Sequence, residues 1–85
     1  MPKTVFTGSH KFLVDALVEA RKTSGLTQTQ LAQRVGKDQS FISLIEGSQR
    51  RVDVLEFYAL ARALNRDPVE LFATVVRKLP DKVEV

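Results

Sequence analysis

The stretch TQTQLAQRVGKDQSFISLIEG, residues 27–47, restricts the fold more than any other part of the chain. Its apolar residues fall at helical spacing, stop at Gly36-Lys37-Asp38, and restart in a new phase. One continuous helix cannot carry both phases, so the segment must be two short helices meeting at an angle. Gly36 is suited to the corner, because glycine takes positive φ without the clash a Cβ would bring. Small Ala32 on the inner face of the first helix permits close approach, and Val35 and Ile42 can fill the angle. Two short helices joined by a three-residue turn containing glycine form a helix-turn-helix arrangement.

The flanking sequence places three further helices. Leu13, Ala16, Leu17 and Ala20 recur at i, i+3, i+4 and i+7, predicting a helix that starts at Ser9 as N-cap and stops near Gly25. Phe12, Val14 and Val18 widen that stripe, which suggests packing against the N-terminal arm or a second protein surface. Thr27…Gln30, Asp53…Glu56 and Asp67…Glu70 each have the spacing of a capping box. Pro68 stands at a first helical position, where its missing N–H costs nothing. The remaining helices are thus expected at about 28–35, with Leu31, Ala32 and Val35 inward, and at 39–46, capped by Asp38, with Phe41, Ile42 and Ile45 inward. Two more are expected at 54–64, burying Phe57, Leu60, Ala61 and Leu64, and at 68–78, with Leu71, Phe72, Val75 and Val76 on one side. Leu79-Pro80 ends the last one. KVEV, residues 82–85, alternates as a strand would. The fold class expected is all-α: five short helices around one core, with residues 1–8 as a loose arm, 9–79 as the domain and 80–85 as a tail.

Composition narrows the functional classes. Eighty-five residues support one core rather than two. No cysteine is present, so disulfides, thiolate catalysis and cysteine-ligated metals are excluded. The single histidine, His10, adjoins the expected arm with no nucleophile or carboxylate beside it, and reads as incidental. No zinc spacing or glycine-rich phosphate loop occurs. The expectation is therefore a non-enzymatic protein without metal or cofactor. The longest apolar run, residues 57–61, is far short of a membrane span, and MPKTVFTGSHK lacks the apolar centre of a signal peptide, so a cytoplasmic location is expected. A net charge of +3, from thirteen basic and ten acidic residues, is only a weak pointer to a polyanion.

The outward side of the second half-motif is more informative. Gln39, Ser40, Ser43 and Leu44 stand where a solvated helix would carry lysine and glutamate. Amides and hydroxyls discriminate between base edges, whereas charges bind all phosphates alike. A glutamine can pair bidentately with adenine N6 and N7, a serine can donate to or accept from most edges, and a leucine can meet a thymine methyl.

These residues resemble the lambdoid phage repressor and Cro-type (XRE-type) helix-turn-helix family. GLTQTQLAQRVG, QSFIS, IEGSQRR and the LARAL helix carry the likeness, which covers about Leu13 to Phe72. The resemblance implies a five-helix fold that binds double-stranded DNA as a two-fold dimer in a prokaryotic cell, regulating transcription as a repressor. It implies that Gln28 touches a phosphate and braces Gln39, eleven residues on. Gln39 and Ser40 become the base-reading pair, with Ser43 and Leu44 flanking them in the groove. Arg21 and Glu46 are expected to form an internal salt bridge. Phosphate contacts are expected from N–H groups at the Thr27-Gln28 helix start and from Lys37, Arg50 and Arg51. Arg34 reads as a solvated residue, and Arg62, Arg66, Arg77 and Lys78 as solubility or dimer-rim charges. The apolar excess at Tyr58, Phe72, Val76 and Leu79 suggests a homodimer surface. Two positions depart from the family pattern: Lys37 replaces a small apolar residue, and Leu44 replaces a polar or basic contact. The alternative from another class is an antitoxin or protein-interaction module, whose partner protein the sequence does not identify.

Overall fold

Four left-handed residues, Gly25, Gly36, Ser48 and Asn65, close the first four helices of the computed structural model, which describes residues 8–83. The helices are α1 (His10–Ser24), α2 (Gln28–Arg34), α3 (Gln39–Glu46), α4 (Val54–Ala63) and α5 (Pro68–Val76), and no strand occurs among the described residues. Each of the four stops uses the same pair of backbone bonds. At Gly36, whose φ is +73°, Lys37 N–H donates to Ala32 O at 2.9 Å and Gly36 N–H to Gln33 O at 3.2 Å. This satisfies carbonyls the helix itself leaves open and turns the chain sharply into α3. Ser48 and Asn65 take the same conformation without being glycine, with φ of 60° and 57°. Neither stop was legible as a glycine signal.

The helix starts follow the caps written in the sequence, with two exceptions. Thr27 with Gln30 and Asp53 with Glu56 form reciprocal capping boxes, and Asp38 accepts from Phe41 N–H. Ser9, expected as an N-cap, is instead already right-handed helical at φ −69° and ψ −25°, so its hydroxyl makes no capping bond. Asp67 accepts from Val69 N–H rather than closing a box with Glu70; its ψ of 117° departs from the 167–174° of Thr27, Asp38 and Asp53 and aims the carboxylate at the second helical position. α5 ends at Val76, two residues before the expected Lys78, in a run of short turns through Leu79. Of the expected C-terminal strand at 82–85, Lys82 lies in a bend and Val83 is irregular; the other two residues lie outside the described residues, as do residues 1–7 of the expected arm.

One core joins all five helices: Leu17, Ala20, Leu31, Ala32, Ile42, Ile45, Phe57, Leu60, Ala61, Leu64 and Leu71. Ala20, Ala32 and Ala61 are almost wholly enclosed. Their small side chains let the helices around them approach closely at close-packed density. α2 packs on α3, α1 on α3 and α5, and α4 on α5 and α2, so α3 is supported by two helices behind it. Val14, read as part of an apolar excess, is buried, whereas Phe72 and Val76, expected on one side of α5 with Leu71 and Val75 and also as a dimer surface, are half exposed. Leu71 and Val75 alone form the buried face of α5.

Candidate nucleic-acid interface

Between α2 and α3, the outward side chains are held by hydrogen bonds that run inward to α1. Gln39 opens α3 and is exposed, and its Nε2 donates to Gln28 Oε1 at 2.6 Å. Gln28 Nε2 in turn donates to Glu46 Oε1 at 2.9 Å. Glu46 receives the Arg21 fork, Nε to Oε2 at 2.6 Å and Nη2 to Oε1 at 2.9 Å. Arg21 Nη1 completes the chain on Leu26 O at 2.8 Å. The ion pair is largely enclosed, with side chains 12% and 10% exposed. A planar guanidinium gripped this way fixes orientation as well as charge. The bracket thus ties α1, the α1–α2 turn, α2 and both ends of α3 together.

Next to Gln39, the Ser40 hydroxyl donates to Asp38 Oδ1 at 2.7 Å, and Ser43 Oγ donates to Ser40 O at 3.2 Å. Their protons being engaged, both hydroxyls present lone pairs and act chiefly as acceptors toward anything approaching α3. The Ser40 hydroxyl, helped by Phe41 N–H, holds the Asp38 carboxyl below its ordinary range. Leu44 is 40% exposed on the following turn. Gln39, Ser40, Ser43 and Leu44 therefore form one surface of amide, hydroxyl and methyl groups.

The expected phosphate-binding residues divide. Lys37 is exposed, with its Nζ 5.5 Å from the centre of the Phe41 ring. Arg51 is also exposed. Arg50, expected to grip the DNA backbone, is turned away toward α4. Its Nη1 and Nη2 donate to Glu56 Oε1 and Oε2 at 2.8 and 2.6 Å, Nη1 also donates to Arg51 O, and the guanidinium stacks 4.8 Å from the Phe41 ring centre. The cause is electrostatic: Glu56 is fixed by its capping box within reach of Arg50. Arg50 in turn, with the Asp53 N–H and Lys37 assisting, holds the Glu56 carboxyl down at about 2. Thr27 N–H donates to Gln30 Oε1 and Gln30 N–H to Thr27 Oγ1, so of the groups at this helix start the N–H of Gln28 and Thr29 lie outside the capping box.

Three contacts were beyond sequence reasoning. Arg34, read as solvated, donates from Nη1 to Ala63 O at 2.9 Å, capping the end of α4 from α2. His10, read as incidental, begins α1 and accepts Val52 N–H on Nε2 at 3.3 Å, pinning the α3–α4 loop. Burial, and then the charge of Arg51, push its pKa below the ordinary value. Glu56 was legible as a cap but not as the partner of Arg50. None of these pairings leaves a periodic mark in the sequence.

On the side away from α3, Tyr58, Phe72 and Val76 are 53%, 45% and 50% exposed, and Val54, Leu55 and Val69 still more so. Leu79 is half buried. Phe72 packs edge-on against buried Phe57, with ring centres 5.7 Å apart. An apolar groove of about 920 Å³ runs between the start of α1, α4 and α5, with Leu13, Phe57, Tyr58, Phe72 and Leu79 among its walls. No described helix is long and apolar enough to cross a membrane.

This geometry is shared with known proteins. A helix-turn-helix family model (HTH_3) matches residues 17–71. An uncharacterized HTH-type transcriptional regulator, y4dJ, of Sinorhizobium fredii is 39% identical over 51 residues, which are 60% of this chain and 66% of that protein, slightly under two thirds of its length. Among solved structures, an XRE-family like protein from Pseudomonas syringae superposes with a TM-score of 0.79 at 40% identity, over 85% of this chain and 88% of the other. The restriction-modification controller protein C.AhdI from Aeromonas hydrophila gives 0.66 at 39% identity, over 75% and 91%. With the family match spanning well over half of the chain and the α2–α3 geometry in place, the protein belongs to the XRE-type helix-turn-helix family of DNA-binding regulators.

Proposed function

We propose that this protein is a sequence-specific double-stranded DNA-binding transcriptional regulator that inserts the first turns of α3 into the major groove. The observation that carries the reading is the bracket from Gln39 through Gln28 and Glu46 to Arg21, which holds an exposed amide at the start of α3. Gln39 and Ser40 are assigned to base edges, with Ser43 and Leu44 flanking them. Lys37, Arg51 and the outward groups around Gln28 are assigned to phosphates. Arg50 is assigned to supporting the loop, through Glu56 and Phe41, rather than to the DNA backbone.

One such helix reads about half a turn of duplex, so useful specificity calls for two copies about 34 Å apart. The exposed α4–α5 residues Tyr58, Phe72 and Val76, with Leu79 at the edge, are assigned to a homodimer contact that sets this spacing. Occlusion of a promoter by the dimer is the simplest regulatory action, and the cytoplasm of a prokaryote the setting.

Selection of bound fragments from a random DNA pool, followed by titration of the chosen site, tests the reading. Gln39→Ala is expected to cost about 1–3 kcal/mol on that site and to relax preference at one base pair of each half-site. Unchanged affinity and preference in Gln39→Ala would refute it. Absence of any selected sequence, together with co-purification of a neighbouring gene product, would favour a protein-interaction or antitoxin role.

A further inference from the structure

A glutamine amide can be turned end for end at little cost, exchanging its donor for its acceptor. For Gln39 the two orientations are not equivalent. With Oε1 and one N–H outward, the amide complements the donor and acceptor on the major-groove edge of adenine. With both N–H groups outward, it complements the two acceptors of guanine. The groups behind Gln39 decide which end is shown.

Glu46 stands at the back of that arrangement. Its carboxylate is enclosed, holds the Arg21 fork on both oxygens, and can only accept hydrogen bonds. Gln28 must therefore offer Nε2 to Glu46, which it does at 2.9 Å, leaving its Oε1 facing α3. Gln39 must then offer an N–H to that oxygen, which it does at 2.6 Å, leaving its own Oε1 and one N–H for the duplex. We infer that Glu46, besides bridging α1 to α3, is the positioning residue that sets the polarity of the Gln39 amide and so selects A·T over G·C at the base pair beneath it. The inference rests on α3 reading DNA as proposed above.

Base selection and side-chain NMR together test this. In Glu46→Gln the residue behind Gln28 can donate or accept, so the preference for A·T over G·C at that one pair is expected to fall about tenfold. Preferences at pairs away from Gln39 should be unchanged. Gln28→Leu, which leaves the Arg21–Glu46 pair in place, should give the same local loss, and the double variant no further loss. Equal weakening at every base pair would mean that Glu46 serves only the fold, and would overturn the inference. Because Glu46→Gln can impair folding, the unmodified protein supplies an independent measurement. Couplings across hydrogen bonds are expected from Gln28 Nε2 to the Glu46 carboxyl carbon and from Gln39 Nε2 to the Gln28 amide carbon. The reverse polarity, with Gln28 Nε2 coupled to the Gln39 carbon, overturns the inference whatever the variants do. Gln39→Ala separates the two levels: if it leaves binding unchanged the DNA-reading assignment fails, while the NMR polarity is read without DNA.

Discussion

Arg50 and Glu56 meet through two parallel hydrogen bonds of 2.8 and 2.6 Å, so the loop after α3 is clamped to the first turn of α4. The same carboxylate accepts Asp53 N–H, joining a helix cap and a loop anchor in one group. Loop geometry beside α3 is thereby coupled to the start of α4.

The clamp predicts an acid-sensitive contribution to stability. Glu56 titrates lower in the folded chain, at about 2, than its ordinary 4.5. Its contribution is therefore complete above pH 4.5 and is lost as pH falls from there through about 2. With the side chains 36% and 24% exposed, solvent screening reduces it to about 1 kcal/mol. Urea titrations at pH 6 and pH 2.5 should show this loss in the wild type and a correspondingly smaller one in Glu56→Gln.

A second pH effect comes from His10. Its folded pKa lies below the ordinary value, so the unfolded chain takes up the proton first. Stability is expected to be full above about pH 6.5 and to decline as pH falls through the folded value. Protonation also removes the lone pair that accepts Val52 N–H. His10→Gln keeps an acceptor at that reach and should flatten the melting temperature between pH 7 and 5; an unchanged slope would remove His10 from the account.

Helix stops offer a test with opposite signs. Gly36→Ala meets no atom within 4 Å, so its cost is left-handed strain alone, about 1–2 kcal/mol. Ser48 already bears that strain at φ 60°, and Ser48→Gly should relieve it, raising stability by about 0.5 kcal/mol after the extra backbone entropy of glycine. Thermal unfolding should show the first variant several degrees below the wild type and the second a few degrees above it.

Lys37 and Gln39 should separate affinity from discrimination. Lys37→Gln is expected to weaken all DNA similarly and to reduce the dependence of log K on log salt by about one unit. Gln39→Ala should leave that slope unchanged while altering base preference. Fluorescence titrations at several salt concentrations on selected and scrambled duplexes distinguish the two.

The dimer assignment turns on a surface that folding alone does not require. Val76 is 50% exposed, so Val76→Arg should leave the monomer folded while removing the dimer, the melting temperature falling only by the concentration-dependent part that pairing adds in the wild type. Sedimentation should then report a monomer at concentrations where the wild type is paired, and affinity for a full two-half-site duplex should fall to that for one half-site. Retained pairing would move the interface elsewhere.

Local sequence determined the elements because their causes are local. Thr27 with Gln30, Asp53 with Glu56, Pro68 and Gly36 act within a few residues of themselves, and the apolar period fixes which face turns inward. The candidate reading surface was legible for the same reason, since Gln39, Ser40, Ser43 and Leu44 are outward by periodicity once Asp38 caps α3. Tertiary structure alone decided who meets whom. Arg34 reaching Ala63 O, His10 holding Val52 and the polarity passed from Glu46 to Gln39 depend on how distant segments pack, while Arg50 meets Glu56 only six residues on through the path of the α3–α4 loop; none of these partners leaves a period in the chain.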